Sequence, residues 1–360
     1  MATDESGGGN GFARVQAWLD EAVMTGVFPC GAAAWGHRDH PPGFCFTGGA
    51  NEGMLFDLAS VSKLVGPGMV ALLALEKGEL KLQDTLGMFF AAPEDKAGIT
   101  VEQLLTHTAG FVPAFPLYET DAPPHRAAET ILARPLASAP GGAPVYSCMG
   151  FIVLGKLLEA LYDRPLHALA TERVFKPLNM RHTAYCPLKE GFTVFAPTEI
   201  DPGSGQALYG VVHDENARFL QGVSGNAGIF STIGDMARFA AMLACEGDGF
   251  LSKDTLEMAV VNRTKGYEDS RGLAFHLASP GSFFGDRFPE SAFGHTGFTG
   301  TSLAVDGTTG FYVALLTNRV HPTRLNEAIL PFRRVFHNRM YQAFALSGES
   351  PDDTLKEGSS

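Results

Sequence analysis

The chain has 360 residues, of which 45% are hydrophobic and 18% are charged, enough for a large core in two domains or one elaborated domain. A net charge of −12 and a pI near 5.4 argue against a basic surface for nucleic acids. The longest apolar stretch, 69–75, is far too short to span a bilayer, and the N-terminus lacks the pattern of a secretory signal. We therefore expect a cytoplasmic protein with no nucleic-acid or membrane partner.

The cysteines predict neither a disulfide framework nor a zinc ribbon. Their number is odd and no Cys-x-x-Cys motif is present, which is typical of proteins from a reducing compartment. The five positions are Cys30, Cys45, Cys148, Cys186 and Cys245.

The N-terminal part predicts a helix followed by a hairpin. Apolar residues recur at helical spacing over 12–23. Two short apolar runs, 30–35 and 44–47, flank a cluster of turn-forming residues, as in a β-hairpin.

A second helix is predicted to begin at Ser60, and it carries the first chemical signal. Lys63 follows three residues later, so a helix would place its amine beside the Ser60 hydroxyl, with side chains about 5–6 Å apart at Cβ. A serine needs an adjacent base to act as a nucleophile, and a lysine can serve if burial and nearby cations lower its pKa. The Gly-Pro-Gly segment at 66–68 predicts a kink or short break before 69–77.

The middle of the chain, 78–225, has mainly helical periodicity with long polar or Pro/Gly connections. Residues 100–103 form a capping-box pattern that opens a short helix. A strongly helical pattern covers 149–162, and Pro165 is placed to begin the next helix. Residues 187–210 show little periodicity and are predicted to form a long loop.

After residue 225 the pattern changes to short strands. A strand is predicted over 228–231, followed by a helix over 235–243. Four further stretches have a strand-like pattern: 272–277, 292–297, 299–306 and 311–318. A hairpin turn at 306–310 joins the last two, and a final helix is predicted over 325–344 with a bend at Pro331.

Strands at both ends of the sequence and helices in the middle predict an α+β fold. In the simplest assembly, 11–77 and 226–346 form an α/β domain whose antiparallel sheet is flanked by helices. Residues 78–225 then form an inserted, mostly helical domain, and Ser60 lies at the junction, a common place for a small-molecule site. Two polar, Gly-rich ends are predicted to be disordered tails: 1–10 and 347–360.

Two more motifs extend the Ser60 signal. Tyr146 begins a Tyr-Ser-Cys sequence just before the helix at 149–162, and His295 begins a His-Thr-Gly sequence that ends a strand pattern. In this order, the three motifs resemble those of the serine β-lactamase and penicillin-binding protein superfamily. The resemblance is greatest to the class C branch with its family VIII carboxylesterase and D-aminopeptidase relatives. It covers about 12–345, including four further stretches: 56–60, 104–111, 228–232 and 294–300.

The resemblance implies a β-lactamase/transpeptidase-like fold and a serine hydrolase that forms an acyl-enzyme on Ser60. Lys63 would hold or take the serine proton, and Tyr146 would act with it as general base and then protonate the leaving group. The backbone N–H groups of Ser60 and Phe298 would form the oxyanion hole. No metal or organic cofactor is implied.

The other motif residues would line the substrate, and two of them depart from the family pattern. Thr296 and Gly297 keep the pattern. Cys148 stands where the family commonly has an Asn that holds an acylamino group. His295, largely neutral at pH 7, stands where a Lys commonly binds a carboxylate. Both changes favour a small ester or neutral amide as substrate over a penicillin.

Three alternative functions stay open. A D-amino-acid or muropeptide-type peptidase and a weak β-lactamase would use the same residues. A catalytically silent homologue used for binding or assembly would explain the two altered motifs, although Ser60, Lys63 and Tyr146 have little reason to occur together in a scaffold.

Several other residue types have ordinary explanations. Cys148 is expected to fill space or line the pocket, because no Cys–His pairing pattern supports a thiol nucleophile. His107 is expected to be a hydrogen-bonded structural histidine. Residues 213–216 include metal-ligand types but lack the spacing of a metal motif, so a structural loop near the site is the simpler interpretation.

Overall fold

Two antiparallel sheets form the framework of the protein. The computed structural model describes residues 11–38 and 40–346. These residues form nine strands: β1 (Gly31–His37), β2 (His40–Thr47), β3 (Phe56–Asp57), β4 (Ala184–Tyr185), β5 (Ile229–Ser231), β6 (His276–Leu277), β7 (Ala292–Thr296), β8 (Ser302–Asp306) and β9 (Phe311–Thr317). The larger sheet has the order β2-β1-β9-β8-β7-β6, and the smaller has the order β3-β5-β4.

Helices cover both sheets and fill the middle of the chain. The described residues form twelve α-helices: α1 (Gly11–Met24), α2 (Val61–Lys63), α3 (Met69–Glu76), α4 (Glu94–Ala97), α5 (Val101–Leu105), α6 (Ala127–Leu132), α7 (Cys148–Tyr162), α8 (Leu166–Ala170), α9 (Glu215–Phe219), α10 (Ile233–Ala244), α11 (Lys253–Ala259) and α12 (Ile329–Met340). The predicted capping box is present at the start of α5, where Thr100 and Gln103 bond each other's backbone N–H groups.

Strand β1 brings the two ends of the chain together. It pairs antiparallel with β2 on one side and with β9 on the other, so that Ala33 lies opposite both Cys45 and Leu315. The predicted hairpin and the predicted antiparallel sheet are therefore confirmed. The six strands of the larger sheet come from 31–47 and 276–317, and the division of the chain into two domains stays a prediction.

The larger sheet is buried on both faces. Successive residues of β1 alternate between two hydrophobic clusters, with Ala32 and Ala34 in one and Ala33 and Trp35 in the other. Helix α10 packs on β1 and β9 within the first cluster, whereas α1 and α12 contribute to the second. The apolar run 31–36 in β1 follows from this burial on both sides.

The helix that starts after Ser60 does not break where its sequence predicts. A π-helical turn, Leu64–Gly68, connects α2 to α3, so the chain stays helical up to Glu76. Pro67 lies inside this turn, where the changed hydrogen-bond register accommodates its missing N–H. A Cβ at Gly68 would lie 2.7 Å from the Lys63 carbonyl oxygen, so only glycine fits this close approach.

Three C-terminal elements are shorter than predicted. Helix α12 begins at Ile329, which places Pro331 in its first turn, where no N–H is required. Strand β6 is confined to two residues, and β8 begins at Ser302. The residues just before Ser302 form a turn instead, since Thr299 and Thr301 donate their hydroxyl protons to the β3 segment.

Helix α7 meets the chain segment before β5 backbone to backbone. A Cβ on Gly225 would lie 1.8 Å from the Phe151 carbonyl oxygen, and a Cβ on Gly155 would lie 3.1 Å from the Gly225 Cα. The next residue, Asn226, accepts a hydrogen bond from Lys63 at 2.9 Å. This close packing therefore positions part of the candidate site.

Throughout the described ranges, no helix combines the length and the apolar character that a bilayer crossing requires.

We expect Gly225→Ala to lower the free energy of unfolding by about 1–3 kcal/mol, because the new methyl group overpacks a backbone contact. Urea denaturation measures the change. Gly98→Ala is the matched control, since a Cβ at Gly98 meets no atom within 4 Å and its φ is −84°. If the two substitutions change stability equally, the proposed tight contact between Gly225 and α7 is wrong.

Candidate active site

Ser60 lies at a sharp turn between β3 and α2. The preceding residue, Ala59, has a φ of +46°, a strained left-handed conformation for a residue with a side chain. The Asp57 carboxylate holds this turn by accepting the Ala59 N–H at 2.9 Å and the His213 N–H at 2.7 Å. Ser60 occupies the N-cap position but its hydroxyl caps no backbone group, so the hydroxyl is available for chemistry.

Lys63 is fully buried and its ammonium group has three acceptors. Its Nζ lies 2.9 Å from the Ser60 Oγ, 2.9 Å from the Asn226 carbonyl oxygen and 3.5 Å from the Cys148 Sγ. An ammonium has three protons, so each can be directed at one of these groups. The nitrogen also lies 5.0 Å from the centre of the Tyr146 ring. The predicted serine–lysine contact is thus present in the structure.

To act as a base, as the sequence suggests, Lys63 requires a lowered pKa, whereas the structure indicates a raised pKa. Burial by itself lowers the pKa of Lys63, but negative charge on Cys148 or Tyr146 opposes this, and the resulting pKa is raised above its ordinary value. The lysine is therefore an ammonium at neutral pH. In this state it donates a hydrogen bond to Ser60.

Tyr146 lies within a ring of basic side chains that come from distant parts of the sequence. Its ring centre is 4.5 Å from that of His107, and the Arg271 guanidinium carbon lies 5.3 Å from the Tyr146 centre. His276 and His295 are next, with ring centres 5.9 and 6.2 Å away. Arg271 is buried and pairs with a carboxylate, so its charge is balanced.

The three histidines around Tyr146 are neutral. Burial, assisted by the positive charges of Lys63 and Arg271, lowers the pKa of His107, His276 and His295 well below the usual range. His107 accepts the Ser147 N–H at 3.1 Å, which agrees with the structural role predicted for it. His295 donates from Nδ1 to the Thr296 carbonyl at 2.8 Å.

A cavity of about 280 Å³ opens over Ser60. Among the predicted site residues, it is lined by Ser60, Tyr146, Thr296, Gly297 and Phe298. The remaining wall comes from other residues: His276, Arg319, Ile329, Leu330 and Arg333.

Two predicted substrate-contacting residues do not line this cavity. His295 is almost completely buried behind Thr296, and Cys148 contacts Lys63 instead. Cys148 and His295, which depart from the family pattern, therefore lie against Lys63 and Tyr146 and do not face a molecule in the cavity.

The loop after β7 closes tightly onto the segment that leads to Ser60. A Cβ at Gly297 would lie 2.1 Å from the Thr301 Oγ1 and 2.4 Å from the Leu58 carbonyl oxygen, so glycine is required there. Thr301 donates its hydroxyl proton to that same Leu58 carbonyl at 2.9 Å. Within 11–38 and 40–346, the backbone N–H groups of Ser60 and Phe298 donate to no other group, and both residues line the cavity. Such free donors suit an oxyanion.

The Phe298 side chain is half exposed at the cavity mouth and is held between two residues. The Arg319 guanidinium lies 4.2 Å from the ring centre, and its Nε donates to the Phe298 carbonyl at 2.6 Å. The His213 ring stacks on the Phe298 ring with the ring centres 5.6 Å apart. The His213 Nε2 also forms a hydrogen bond with the Glu199 carboxylate at 3.0 Å. These contacts fix the loop that presents the Phe298 N–H.

The polar residues at 213–216 have structural partners. His213 bonds Glu199, the Asp214 side chain caps α9, Glu215 pairs with Arg324, and the Asn216 amide binds loop backbone. Among the residues that the structure describes, no cluster of three or more His, Cys, Asp or Glu side chains is arranged to hold a metal ion.

Sequence reasoning did not identify four contributors to the site. Asn226 acts through its backbone carbonyl, which has no residue-type signature. Arg319 follows β9, and Arg333 lies in α12 beside the partly exposed Arg334, so neither differs from a surface arginine in sequence. His276 belongs to a two-residue strand that is too short for its register to be inferred.

We expect the neutral histidines to make stability depend on pH. Because the folded-state pKa of His295 lies below the ordinary value near 6.5, the unfolded state binds more protons and stability falls as pH drops below about 6.5. Between pH 7.5 and 5.5, the free energy of unfolding of His295→Gln should fall by about 1 kcal/mol less than that of wild type. Urea denaturation at the two pH values measures both changes. The exposed His125→Gln should behave like wild type, and equal pH slopes for both variants would contradict this account.

Comparison with known proteins agrees with the site. The profile of the β-lactamase family matches residues 15–336. A relative from Escherichia coli (strain K12), which carries the provisional name D-alanyl-D-alanine carboxypeptidase, is 30% identical over 307 residues, 76% of this chain and 70% of the relative.

Two solved structures show the same fold at low sequence identity. A simvastatin synthase mutant from Aspergillus terreus has a TM-score of 0.73 at 16% identity, covering 94% of this chain and 96% of that one. A hydrolase described as having promiscuous acyltransferase activity has a TM-score of 0.72 at 19% identity, covering 90% and 98%. Together with the matched family profile, these findings show that the chain belongs to the β-lactamase family of serine hydrolases.

Proposed function

We propose that the protein hydrolyses small esters or amides through an acyl-enzyme on Ser60. One observation carries the proposal: the Lys63 Nζ lies 2.9 Å from the Ser60 Oγ, at the wall of a cavity of about 280 Å³. A hydroxyl held by a buried cation, beside free backbone N–H groups, has the parts that acyl transfer needs. A purely structural helix start has no use for this arrangement.

The proposed proton acceptor is Tyr146, because a protonated Lys63 cannot take the serine proton. The Lys63 Nζ lies 5.0 Å from the Tyr146 ring centre, so the ring is adjacent to the serine–lysine pair. Neutral histidines surround the ring, and their lowered pKa values make them weak competitors for the serine proton. Lys63 acts in this scheme as a hydrogen-bond donor and a fixed positive charge.

The reaction then has two halves. In the first, the Ser60 oxygen bonds to the substrate carbonyl carbon and its proton moves to Tyr146. The carbonyl oxygen becomes an oxyanion that the Ser60 and Phe298 N–H groups stabilise. The bond to the leaving alcohol or amine breaks, and Tyr146 returns the proton to it. In the second half, a water oxygen bonds to the acyl carbon while its proton moves to Tyr146. The acyl–Ser60 bond then breaks, and Tyr146 returns the proton to the Ser60 oxygen, which releases the acid.

A second candidate is a peptidase that cleaves D-alanyl peptides. It is supported by the provisional name of the Escherichia coli relative, which is 30% identical to this chain. A panel of p-nitrophenyl butyrate, D-alanyl-p-nitroanilide and nitrocefin separates esterase, peptidase and β-lactamase activities. The highest kcat/KM in the panel identifies the preferred bond.

We expect Ser60→Ala to lower the kcat/KM for p-nitrophenyl butyrate at least about 1,000-fold, because the acylated oxygen is lost. The matched control is Ser62→Ala, in the same helical turn, whose hydroxyl accepts the Ile229 N–H and does not contact Lys63. This control should keep activity within about tenfold of wild type while losing about 1 kcal/mol of stability. Retained activity in Ser60→Ala rules out the acyl-enzyme proposal.

We expect Tyr146→Phe to lower kcat by about 10²–10⁴-fold, because it removes the proposed proton acceptor but keeps the ring against His107. Steady-state kinetics with the same ester measures the loss. Tyr267→Phe, at an exposed position, is the control for a missing phenol oxygen. A Tyr146→Phe enzyme within threefold of wild type would assign the proton transfer to another group.

A further inference from the structure

The two free backbone donors at the cavity lie on separate segments, and a small contact network joins these segments. The Ser60 N–H belongs to the turn after β3, and the Phe298 N–H belongs to the loop after β7. Because an oxyanion must accept both N–H groups at once, the separation of the two segments matters as much as the shape of either. His213 contacts the residue that holds the first segment and the residue that begins the second.

The first contact of His213 is with the buried Asp57 carboxylate. One carboxylate oxygen accepts the Ala59 N–H at 2.9 Å, and the other accepts the His213 N–H at 2.7 Å. Since Ala59 has a strained φ of +46°, the bond from its N–H helps to maintain the turn that presents Ser60. Any residue except proline can donate the same backbone bond from position 213, so this contact does not require a histidine.

The second contact requires the ring of His213. This ring stacks on the Phe298 ring, with the ring centres 5.6 Å apart and an angle of 22° between the planes. His213 is 3% exposed and Phe298 is 48% exposed, so a buried ring supports an exposed one. The next residue, Thr299, donates its hydroxyl proton to the Asp57 carbonyl at 2.7 Å. His213 and Thr299 thus tie the Phe298 loop to the same residue, Asp57.

A carboxylate fixes the orientation of the His213 ring. Glu199 accepts the backbone N–H of Arg324 at 2.9 Å and the Arg324 Nε at 2.6 Å. Partial burial raises the pKa of Glu199, but the hydrogen bonds from Arg324 and His213 outweigh it and lower the pKa to about 2. Glu199 is therefore ionised at neutral pH, so the His213 Nε2 donates to it at 3.0 Å and the ring is held against Phe298.

The Phe298 ring has a second neighbour, Arg319, which is held differently. Its guanidinium lies 4.2 Å from the Phe298 ring centre, and it also donates to backbone carbonyls of the segment 324–326. Arg319 therefore ties the ring to the segment that follows β9. Of these two neighbours, His213 is the one bound to Asp57 and hence to the turn that carries the nucleophile.

We propose that His213 is a positioning residue whose ring keeps the Phe298 N–H at the separation from the Ser60 N–H that an oxyanion requires. The proposal rests on the proposed hydrolysis at Ser60 and adds to it a residue that does not line the cavity. His213 acts through Phe298. Its effect therefore falls on the transition state, in which the carbonyl oxygen carries its negative charge, and not on binding of the uncharged ester.

The test separates the ring of His213 from its backbone bond. His213→Ala keeps the N–H to Asp57 but removes the ring, whereas His213→Phe keeps a ring that can stack on Phe298. We expect His213→Ala to lower kcat and kcat/KM for p-nitrophenyl butyrate by the same factor, about 10–100-fold, because a displaced donor stabilises the oxyanion poorly. His213→Phe should restore both constants to within about threefold of wild type.

A boronic acid gives a second readout, because its tetrahedral adduct with Ser60 places an oxygen in the oxyanion hole. The inhibition constant of propylboronic acid should rise in His213→Ala by about the factor by which kcat/KM falls. The matched control is His182→Ala, which removes a histidine ring that contacts Phe192, and neither residue lines the cavity. In this control, kcat/KM and the inhibition constant should stay within about twofold of wild type.

Phe298→Ala tests whether His213 acts through the Phe298 ring, and it does so even if His213→Ala does not fold. It removes the same stacking contact from the exposed side and keeps the backbone N–H at position 298. We expect kcat to fall about 10–100-fold in this variant as well. The variant that carries both substitutions should lose no more than the larger of the two single losses, because both remove one contact.

Four results would overturn the inference. They are a His213→Phe enzyme as slow as His213→Ala, an unchanged inhibition constant in a slow His213→Ala enzyme, single losses that multiply in the double variant, and an unchanged kcat in Phe298→Ala. Failure of the proposed function is a separate result, which appears in wild type itself as no hydrolysis of p-nitrophenyl butyrate.

Discussion

The structure around Ser60 depends on one buried ammonium group. Taking the Lys63 charge out of water is costly, and the cost is offset only because its protons reach an oxygen of Ser60, the Asn226 carbonyl and the Cys148 sulfur. Each partner comes from a different segment, so the lysine holds together the start of α2, the start of α7 and the chain before β5. The π-helical turn and Gly68 let the backbone pass close to Lys63, and Gly225 lets α7 approach the strand segment.

Local charge, not net charge, determines what the site can do. The chain carries −12 overall, yet the walls of the cavity are positive or neutral. Burial keeps the three histidines uncharged around Tyr146, while the Lys63 ammonium lies beside Ser60 and two buried arginines line the cavity. The cavity of about 280 Å³ is thus lined by two buried arginines and a neutral histidine, although the net charge of the chain is negative.

Much of the framework could be predicted because its signals are local. The spacing of Ser60 and Lys63, the capping box at Thr100 and the hairpin near the N-terminus each depend on neighbours a few residues apart. Asn226 and Arg333 could not be predicted, because their roles depend on contacts with chain segments 163 and 36 residues away. The sequence predicts a kink or short break at 66–68, and the structure has no break there, because a π-helical turn keeps the chain helical through Pro67. The charge of Lys63 likewise depends on Cys148 and Tyr146, which only the fold brings near.

The most direct test of the account is covalent labelling of the nucleophile. Wild-type protein is treated with a fluorophosphonate, and the adduct is measured by intact mass and located by peptide mapping. The account predicts one adduct per chain, on the peptide that contains Ser60, and no adduct in Ser60→Ala. Equal labelling of both proteins, or an adduct on another residue of an active enzyme, would contradict the central role of Ser60 and its contact with Lys63.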